Sequence, residues 1–138
     1  MPAAEFLDTN VLVYAYDTSD PVKQRVAKEL VRRAVAGEFV ISAQVLGEFA
    51  ATLLHKVSPP VAADDLIVAL DALAAIKLLS LDGDLIRRAV QVRTSYGLHF
   101  YDGMIVAAAE RLGCPQIWSE DFNAGQTYFG VTVRNPFS

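Results

Sequence analysis

Four acidic residues, far apart along the chain, have the type and context to do chemistry together: Asp8, Glu48, Asp102 and Asp121. Glu48 and Asp102 each lie in an uncharged stretch, with no lysine or arginine within one helical turn. Carboxylates that converge without cations repel one another and raise one another's pKa, and a divalent ion relieves this repulsion. Mg²⁺ or Mn²⁺ prefers such oxygen ligands and can activate water to attack a phosphodiester. The four acids are therefore a candidate catalytic and metal-binding set.

Each acid also has an ordinary structural interpretation. Asp102 near a helix N-terminus would complement the helix dipole. Asp8 and Asp121 could be turn residues, since aspartate favours turns, and Glu48 could be an exposed helix residue. The catalytic hypothesis therefore depends on all four meeting at one place.

Other catalytic chemistries fit the sequence less well. His55 and His99 have no histidine or cysteine partner at zinc-binding spacing. Cys114 is the single cysteine, and no activating motif surrounds it, which favours a small buried side chain. The chain also lacks a glycine-rich phosphate loop and a nucleophile elbow.

The elements that would position the acids follow from the hydrophobic pattern. Short β-type runs predict strands at residues 3–7, 39–41, 78–81, 116–118 and 131–133. Helices are predicted between them, capped by Asn10, Asp20, Ser42 and Asp82, and at residues 62–76 and 100–112. Strands that alternate with helices pair in parallel through right-handed crossovers. We expect an α/β fold, a doubly wound α/β/α sandwich, with Asp8 and Asp121 at the carboxyl edge of its sheet.

Length and composition predict one domain over residues 1–138, because 138 residues with 53% apolar content can bury a core. The single cysteine, and the absence of a signal-like segment or of an apolar run near ~20 residues, predict a cytoplasmic protein without a membrane span. The net charge of −4 gives little support to nonspecific nucleic-acid binding, but with the four candidate acids set aside the other 12 acids balance the 12 bases, which would be the pattern of a metal-filled acidic pocket.

Four segments in order resemble the motifs of the PIN-domain family, and specifically of VapC-type toxins from toxin–antitoxin pairs. They are Phe6-Leu7-Asp8-Thr9-Asn10-Val11-Leu12, residues 42–49 around Glu48, residues 101–109 around Asp102, and Trp118-Ser119-Glu120-Asp121-Phe122. The ending, from Gly130 through Asn135-Pro136-Phe137, is also similar. The resemblance covers nearly the whole chain.

This resemblance implies a five-stranded parallel sheet in the order 3-2-1-4-5. It also implies Mg²⁺- or Mn²⁺-dependent RNA hydrolysis, often of tRNA or ribosomal RNA, by a homodimer that a small VapB-type antitoxin silences. The residues that match the family's metal-binding positions are Asp8, Glu48, Asp102 and Asp121. Ser119 matches a hydroxyl position that supports the site, and Asn10 matches a position near the first acid, with helix capping as its alternative role.

Three further residues near the motifs are informative. Gly103 stands where alanine is more usual in the pattern, and a glycine inside a helix costs roughly 1 kcal/mol relative to alanine. His99 is a candidate RNA contact, with capping or packing as the alternative. Glu120 is a candidate outer metal contact, with a solvated loop acid as the alternative.

Apolar residues on both sides of Pro59-Pro60 could form a groove for an amphipathic antitoxin segment, or simply a core face. They are Leu53, Leu54, Leu66, Ile67 and Leu70.

Two other functions compete with the nuclease. A phosphate-sensing, receiver-like module would need a lysine after its fifth strand, and none follows Lys77. A noncatalytic protein that retains the fold is the second alternative, although all four acids are present.

Overall fold

The computed structural model describes residues 3–138, in which six helices pack around a six-stranded sheet. Residues 1 and 2 of the predicted domain lie outside the described part. The elements are β1 (Glu5–Leu7), α1 (Thr9–Tyr16), α2 (Pro21–Val35), β2 (Phe39–Ser42), α3 (Ala43–His55), α4 (Ala63–Leu73), β3 (Lys77–Leu79), α5 (Gly83–Tyr96), α6 (Phe100–Arg111), β4 (Gln116–Trp118), β5 (Thr127–Tyr128) and β6 (Val131–Arg134).

The strand order is β3-β2-β1-β4-β6-β5, and the first five of these strands are mutually parallel. Because the predicted fifth strand is β6, the expected order 3-2-1-4-5 and the α/β fold class are confirmed. At the centre, Phe6 of β1 pairs with Val40 of β2 on one side and with Ile117 of β4 on the other. All three side chains are buried, so the core is built directly around the strand that leads to Asp8.

The sheet has a sixth strand that the sequence pattern did not predict. β5 pairs antiparallel with β6, with Tyr128 opposite Val131. Phe129 and Gly130 join the two strands, and both have positive φ, 47° and 83°. This combination is typical of the type I′ turn of tight hairpins. A two-residue strand is too short to show a hydrophobic periodicity. Phenylalanine is also not one of the residues that normally mark a type I′ turn in a sequence.

The helices divide into two groups by the direction of the crossovers. The chain moves outward from β1 through β2 to β3, and then returns past β1 to β4. Right-handed crossovers put the helices of the outward path on one face and those of the return path on the other. The contacts agree, because α1 packs on α2 and α3, α3 packs on α4, and α5 packs on α6.

Side-chain caps begin three helices where the sequence predicts them. Asp20 accepts a hydrogen bond from the backbone N–H of Lys23 at 3.1 Å, and Ser42 and Asp82 cap α3 and α5 in the same way. The prediction for α1 is wrong by two residues. Asp8 caps this helix by accepting from the Thr9 N–H at 2.7 Å, so the Asn10 side chain is left for other contacts.

Gly103 allows α6 to approach α5 closely. A Cβ atom at this position would lie 2.7 Å from the carbonyl oxygen of Ala89, which is backbone and cannot move aside alone. The departure from alanine at Gly103 is therefore required by helix packing. The same contact fixes the first turn of α6, which carries Asp102.

An apolar cleft of about 450 Å³ lies between α1, α3 and α4. Leu53 lines it as predicted, but Leu54, Leu66, Ile67 and Leu70 do not. Leu66 belongs to the core, whereas Ile67 is 57% exposed beside the cleft. The lining residues are Tyr16, Leu53, Val61, Asp65, Val68, Ala69 and Ala72.

No helix in residues 3–138 has both the length and the apolar character that crossing a membrane requires. Cys114 is buried, as its sequence context predicts. Burial raises the pKa of its thiol to about 11, which keeps the sulfur protonated and unreactive at neutral pH.

Candidate active site

Asp8 lies at the carboxyl end of β1 and is 6% exposed. Its Oδ1 accepts a hydrogen bond from the Thr9 N–H at 2.7 Å, and its Oδ2 accepts one from the Ser119 hydroxyl at 2.7 Å. The Asp8 N–H donates to the carbonyl of Trp118 at 3.0 Å. These contacts fix the backbone and the carboxylate of Asp8 against the end of β4.

Ser119 and Asn10 connect Asp8 to Asp121. The Asn10 Nδ2 donates to Ser119 Oγ at 3.0 Å and to Asp121 Oδ2 at 3.1 Å, and approaches Asp8 Oδ2 at 3.5 Å. Its Oδ1 accepts from the Glu120 N–H at 3.1 Å. One amide thus holds both the loop backbone and the Asp121 carboxylate.

Burial raises the pKa of Asp8 from 3.8 to about 6. The hydrogen bonds from Ser119 and Thr9 oppose this effect, and the negative charges of Glu48 and Asp121 reinforce it. Acids of two other elements, Glu48 on α3 and Asp121 in the loop after β4, therefore influence Asp8 electrostatically.

Glu48 lies on α3 and is held by a neighbour that the sequence analysis missed. The buried Gln44 donates from Nε2 to Glu48 Oε1 at 2.7 Å and to the carbonyl oxygen of Tyr101 at 2.9 Å. Gln44 precedes Glu48 by one helical turn, which was the available signal. This contact joins α3 to the first turn of α6.

Asp102 faces the same edge from α6. Desolvation by the surrounding protein raises its pKa, the nearby His99 lowers it, and the charge of Asp121 raises it further. His99 Nδ1 accepts from the Tyr101 N–H at 3.2 Å, so the predicted capping role of His99 is confirmed. The His99 ring also stacks on Tyr101, with centroids 5.6 Å apart.

Although α6 is mostly buried, its acid Asp102 is not, and neither is Glu48 on α3. Both are exposed, as is Asp121, because each stands where its element reaches the open edge of the sheet. Among these four acids, Asp8 is the buried one. The apolar neighbours that follow Asp102, from Gly103 to Ala109, are buried, whereas Asp102 lies in the first turn of α6.

Glu120 is an ion-paired residue and not a solvated loop acid. Its carboxylate accepts from the Tyr14 hydroxyl at 2.6 Å and from Lys23 Nζ at 2.5 Å. Although burial raises the pKa of Glu120, the bonds from Lys23 and Tyr14 bring it below its ordinary value. These contacts fasten the loop that carries Asp121 to α1 and α2.

A cleft of about 390 Å³ opens beside the acids, with Asn10, Glu48, Glu120 and Asp121 in its wall. Lys56 is the one lysine or arginine among the described residues that line it. The cleft therefore combines carboxylates, suited to a cation, with an ammonium group suited to a phosphate.

The donor chemistry of this edge fits a hard divalent cation, because all four candidate ligands offer carboxylate oxygens. No ion pair within residues 3–138 neutralises any of the four. In the same part of the chain, no three histidine, cysteine, aspartate or glutamate side chains already form a closed metal-binding group. The four acids, as the structure places them, therefore do not form a ready-made metal-binding group.

Three solved structures are similar to this chain in fold. A DNA-bound VapBC from Salmonella typhimurium matches with a TM-score of 0.70 and 17% identity, covering 98% of this chain and 99% of that one. A toxin–antitoxin complex from Klebsiella pneumoniae gives 0.68 and 20%, covering 96% and 98%. VapC20 of Mycobacterium tuberculosis, described as a sarcin-ricin loop cleaving toxin, gives 0.67 and 18%, covering 86% and 90%.

The sequence itself carries the family assignment. No protein of curated function matches the chain at a significant level. The family model of the PIN domain, however, matches residues 6–130, which include all four acids and their supporting residues. The chain therefore belongs to the PIN-domain family.

Proposed function

We propose that this protein is a divalent-metal-dependent endoribonuclease and the toxin of a VapBC-type pair. The observation that carries the proposal is the network in which Ser119 and Asn10 tie the buried Asp8 to Asp121, with Glu48 and Asp102 facing the same edge. Membership of the PIN-domain family and the fold of the VapC structures support it. The same reasoning favours a cytoplasmic location, where RNA is the abundant phosphodiester substrate.

In this proposal Asp8, Glu48, Asp102 and Asp121 hold Mg²⁺ or Mn²⁺. When bound, the ion supplies charge neutralisation at the phosphate and a lower pKa for water. The chain's own contribution is to hold the acids in place before substrate arrives. Ser119 and Asn10 do this for Asp8 and Asp121 through the bonds described above.

Two features beside the acids suit single-stranded RNA, of tRNA or ribosomal RNA. Lys56 lies in the wall of the cleft, where it can contact a phosphate. Tyr101 is 57% exposed and already stacked on His99, next to Asp102. An exposed ring of this kind can stack on an unpaired base, which extends the predicted RNA contact of His99 to a pair of rings.

Cleavage of total RNA by the purified protein, with Mg²⁺ or Mn²⁺ and with EDTA, tests the proposal. We expect discrete RNA fragments with either ion, no cleavage in EDTA, and recovery when the ion is restored. The termini of the fragments identify the target and the cleaved bond. Intact RNA under all ionic conditions, from protein with a cooperative unfolding transition, would favour the noncatalytic or phosphate-sensing alternatives.

We also propose that a small VapB-type antitoxin docks an amphipathic segment in the apolar cleft between α1, α3 and α4. The cleft lies beside α1 and α3, which carry Asn10 and Glu48, so a bound segment can extend to the acids and place an arginine among them. Co-expression with the neighbouring reading frame and pull-down tests this. Val68→Asp should abolish capture because Val68 lines the cleft, whereas Ile67→Asp should not, because Ile67 is also exposed but does not line it.

The family resemblance further suggests a homodimer. Light scattering of the purified chain, alone and with the co-expressed partner, measures the oligomeric state directly. A mass near 30 kDa for the chain alone is expected, twice the 15.0 kDa of one copy.

A further inference from the structure

Gln44 makes a contact that links two of the proposed ligand-bearing helices. It lies in the first turn of α3 and is 8% exposed. Its Nε2 donates to Glu48 Oε1 at 2.7 Å, one turn along the same helix. The same nitrogen donates to the carbonyl oxygen of Tyr101 at 2.9 Å, the residue before Asp102 on α6.

The orientation of the Gln44 amide follows from its neighbours. Both atoms that it contacts are acceptors, a carboxylate oxygen and a backbone carbonyl oxygen. A flipped amide would direct its own oxygen against both of them, with no hydrogen between. The donor group of Gln44 must therefore face Glu48.

This orientation has a cost elsewhere in the same side chain. Gln44 Oε1 is buried and has no hydrogen-bond partner within residues 3–138. Buried polar atoms without partners are rare in folded proteins and destabilise them. An apolar residue at this position would avoid the cost, so stability alone does not account for a glutamine here.

Glu48 needs such a restraint because its side chain is long and exposed. A free glutamate samples many rotamers, and ordering it when an ion binds costs conformational entropy. The bond from Gln44 removes part of that freedom in advance. Because Gln44 also donates to the backbone beside Asp102, it fixes the position of the Glu48 carboxylate relative to the start of α6, which carries Asp102.

We infer that Gln44 is a positioning residue: it holds the Glu48 carboxylate in a fixed position relative to Asp102, so that both can bind the same metal ion. The inference rests on the proposed metal-dependent function and assigns a role to a residue outside the set of acids. Groups that orient metal ligands in this way typically change metal affinity or activity by 10–100-fold when they are removed.

Gln44→Met tests the inference, since methionine keeps the length and loses the donor. Gln44→Leu is a second variant in case methionine packs poorly. The matched control is Gln24→Met, because Gln24 also donates from Nε2 to a backbone carbonyl, that of Ala15, at 3.3 Å. Mn²⁺ affinity is measured by calorimetry without RNA, alongside melting temperature and the kinetics of RNA cleavage.

We expect the dissociation constant for Mn²⁺ to rise about ten-fold or more in both Gln44 variants. The melting temperature without metal should stay level or rise, and kcat should fall with KM little changed. Gln24→Met should bind Mn²⁺ like the wild type. Wild-type affinity in folded Gln44→Met overturns the inference alone. A wild-type protein that neither binds Mn²⁺ nor cleaves RNA overturns the proposed function, and this inference with it.

Discussion

Ser119 Oγ donates to Asp8 Oδ2 at 2.7 Å while it accepts from the Asp121 N–H at 3.1 Å. It also accepts from Asn10 Nδ2 at 3.0 Å, so the one donor and both acceptor positions of the hydroxyl are used. Ser119 is fully buried. One small side chain thus ties the end of β1 to the loop after β4, and it fixes the distance between the two acids that those elements carry.

Asp8→Asn should abolish RNA cleavage while the protein stays folded. The amide oxygen can still accept from the Thr9 N–H and cap α1, but the negative charge that a metal ion needs is lost. We expect a loss of at least about 10³-fold in kcat, since removal of a principal catalytic group costs about 10⁴-fold or more in well-studied enzymes. Fragment yield from RNA and the melting temperature of the same preparation measure the two effects. Cleavage that survives this change would show that the site lies elsewhere.

The raised pKa of Asp8 predicts a pH dependence of stability in EDTA. Above pH 6 Asp8 is ionised in both the folded and unfolded states, and its buried charge destabilises the fold. The difference between a pKa of about 6 and the ordinary 3.8 corresponds to about 3 kcal/mol. As pH falls from 6 towards 4, the folded state takes up the proton first, so this cost is relieved.

Subtracting the free energy of unfolding of Asp8→Asn from that of the wild type isolates the contribution of Asp8, since the other titrating groups are common to both proteins. The free energy of unfolding in urea, measured between pH 8 and pH 4, should rise for the wild type relative to the variant. We expect a relative gain that approaches about 3 kcal/mol, most of it reached by pH 4. A constant difference across this range would mean that the Asp8 carboxyl has an ordinary pKa.

The sequence predicted those parts of the candidate site whose positions follow from the chain topology, and it did not predict the parts that depend on contacts between distant elements. Asp8 directly follows β1 and Asp121 lies three residues after the end of β4, so their placement at one edge required little beyond the strand assignment. The role of Asn10 was less accessible, because Asp8 caps the helix that Asn10 also could cap. Gln44 acts through the backbone of α6, which lies 57 residues away in sequence, and local pattern does not encode that contact.

Gly103→Ala should destabilise the protein, although alanine favours helices. Its Cβ would lie 2.7 Å from the Ala89 carbonyl oxygen, so α5 and α6 must separate. We expect a net loss of roughly 1–2 kcal/mol in the free energy of unfolding, the overpacking cost less the gain in helix propensity. Since α6 carries Asp102, cleavage should fall as well. Urea unfolding and the RNA assay measure these effects.

Gly47→Ala is the matched control for this substitution. Gly47 also lies inside a helix, but a Cβ there meets nothing within 4 Å. Alanine should therefore stabilise α3 by about 0.5–1 kcal/mol through helix propensity alone. If alanine stabilised the protein equally at Gly103 and at Gly47, the close contact between α5 and α6 would be contradicted.

The ion pair between Lys23 and Glu120 should contribute to stability and to the position of Asp121. Its side chains are 31% and 25% exposed, whereas those of Arg32 and Glu29, at the same 2.5 Å separation, are 66% and 56% exposed. Water and salt screen exposed pairs more strongly.

A double-mutant cycle with Lys23→Met and Glu120→Gln should therefore give a larger coupling energy in urea unfolding than the corresponding cycle at Arg32 and Glu29. Only the coupling energy of the Lys23–Glu120 pair should persist in high salt. Because Glu120 fastens the loop beside Asp121, its substitution should also slow RNA cleavage, and substitution of Glu29 should not. Equal coupling in the two cycles would show that the Lys23–Glu120 pair is no better shielded than an ordinary surface contact, and that the loop is ordered by its other contacts, from Tyr14, Asn10 and Ser119.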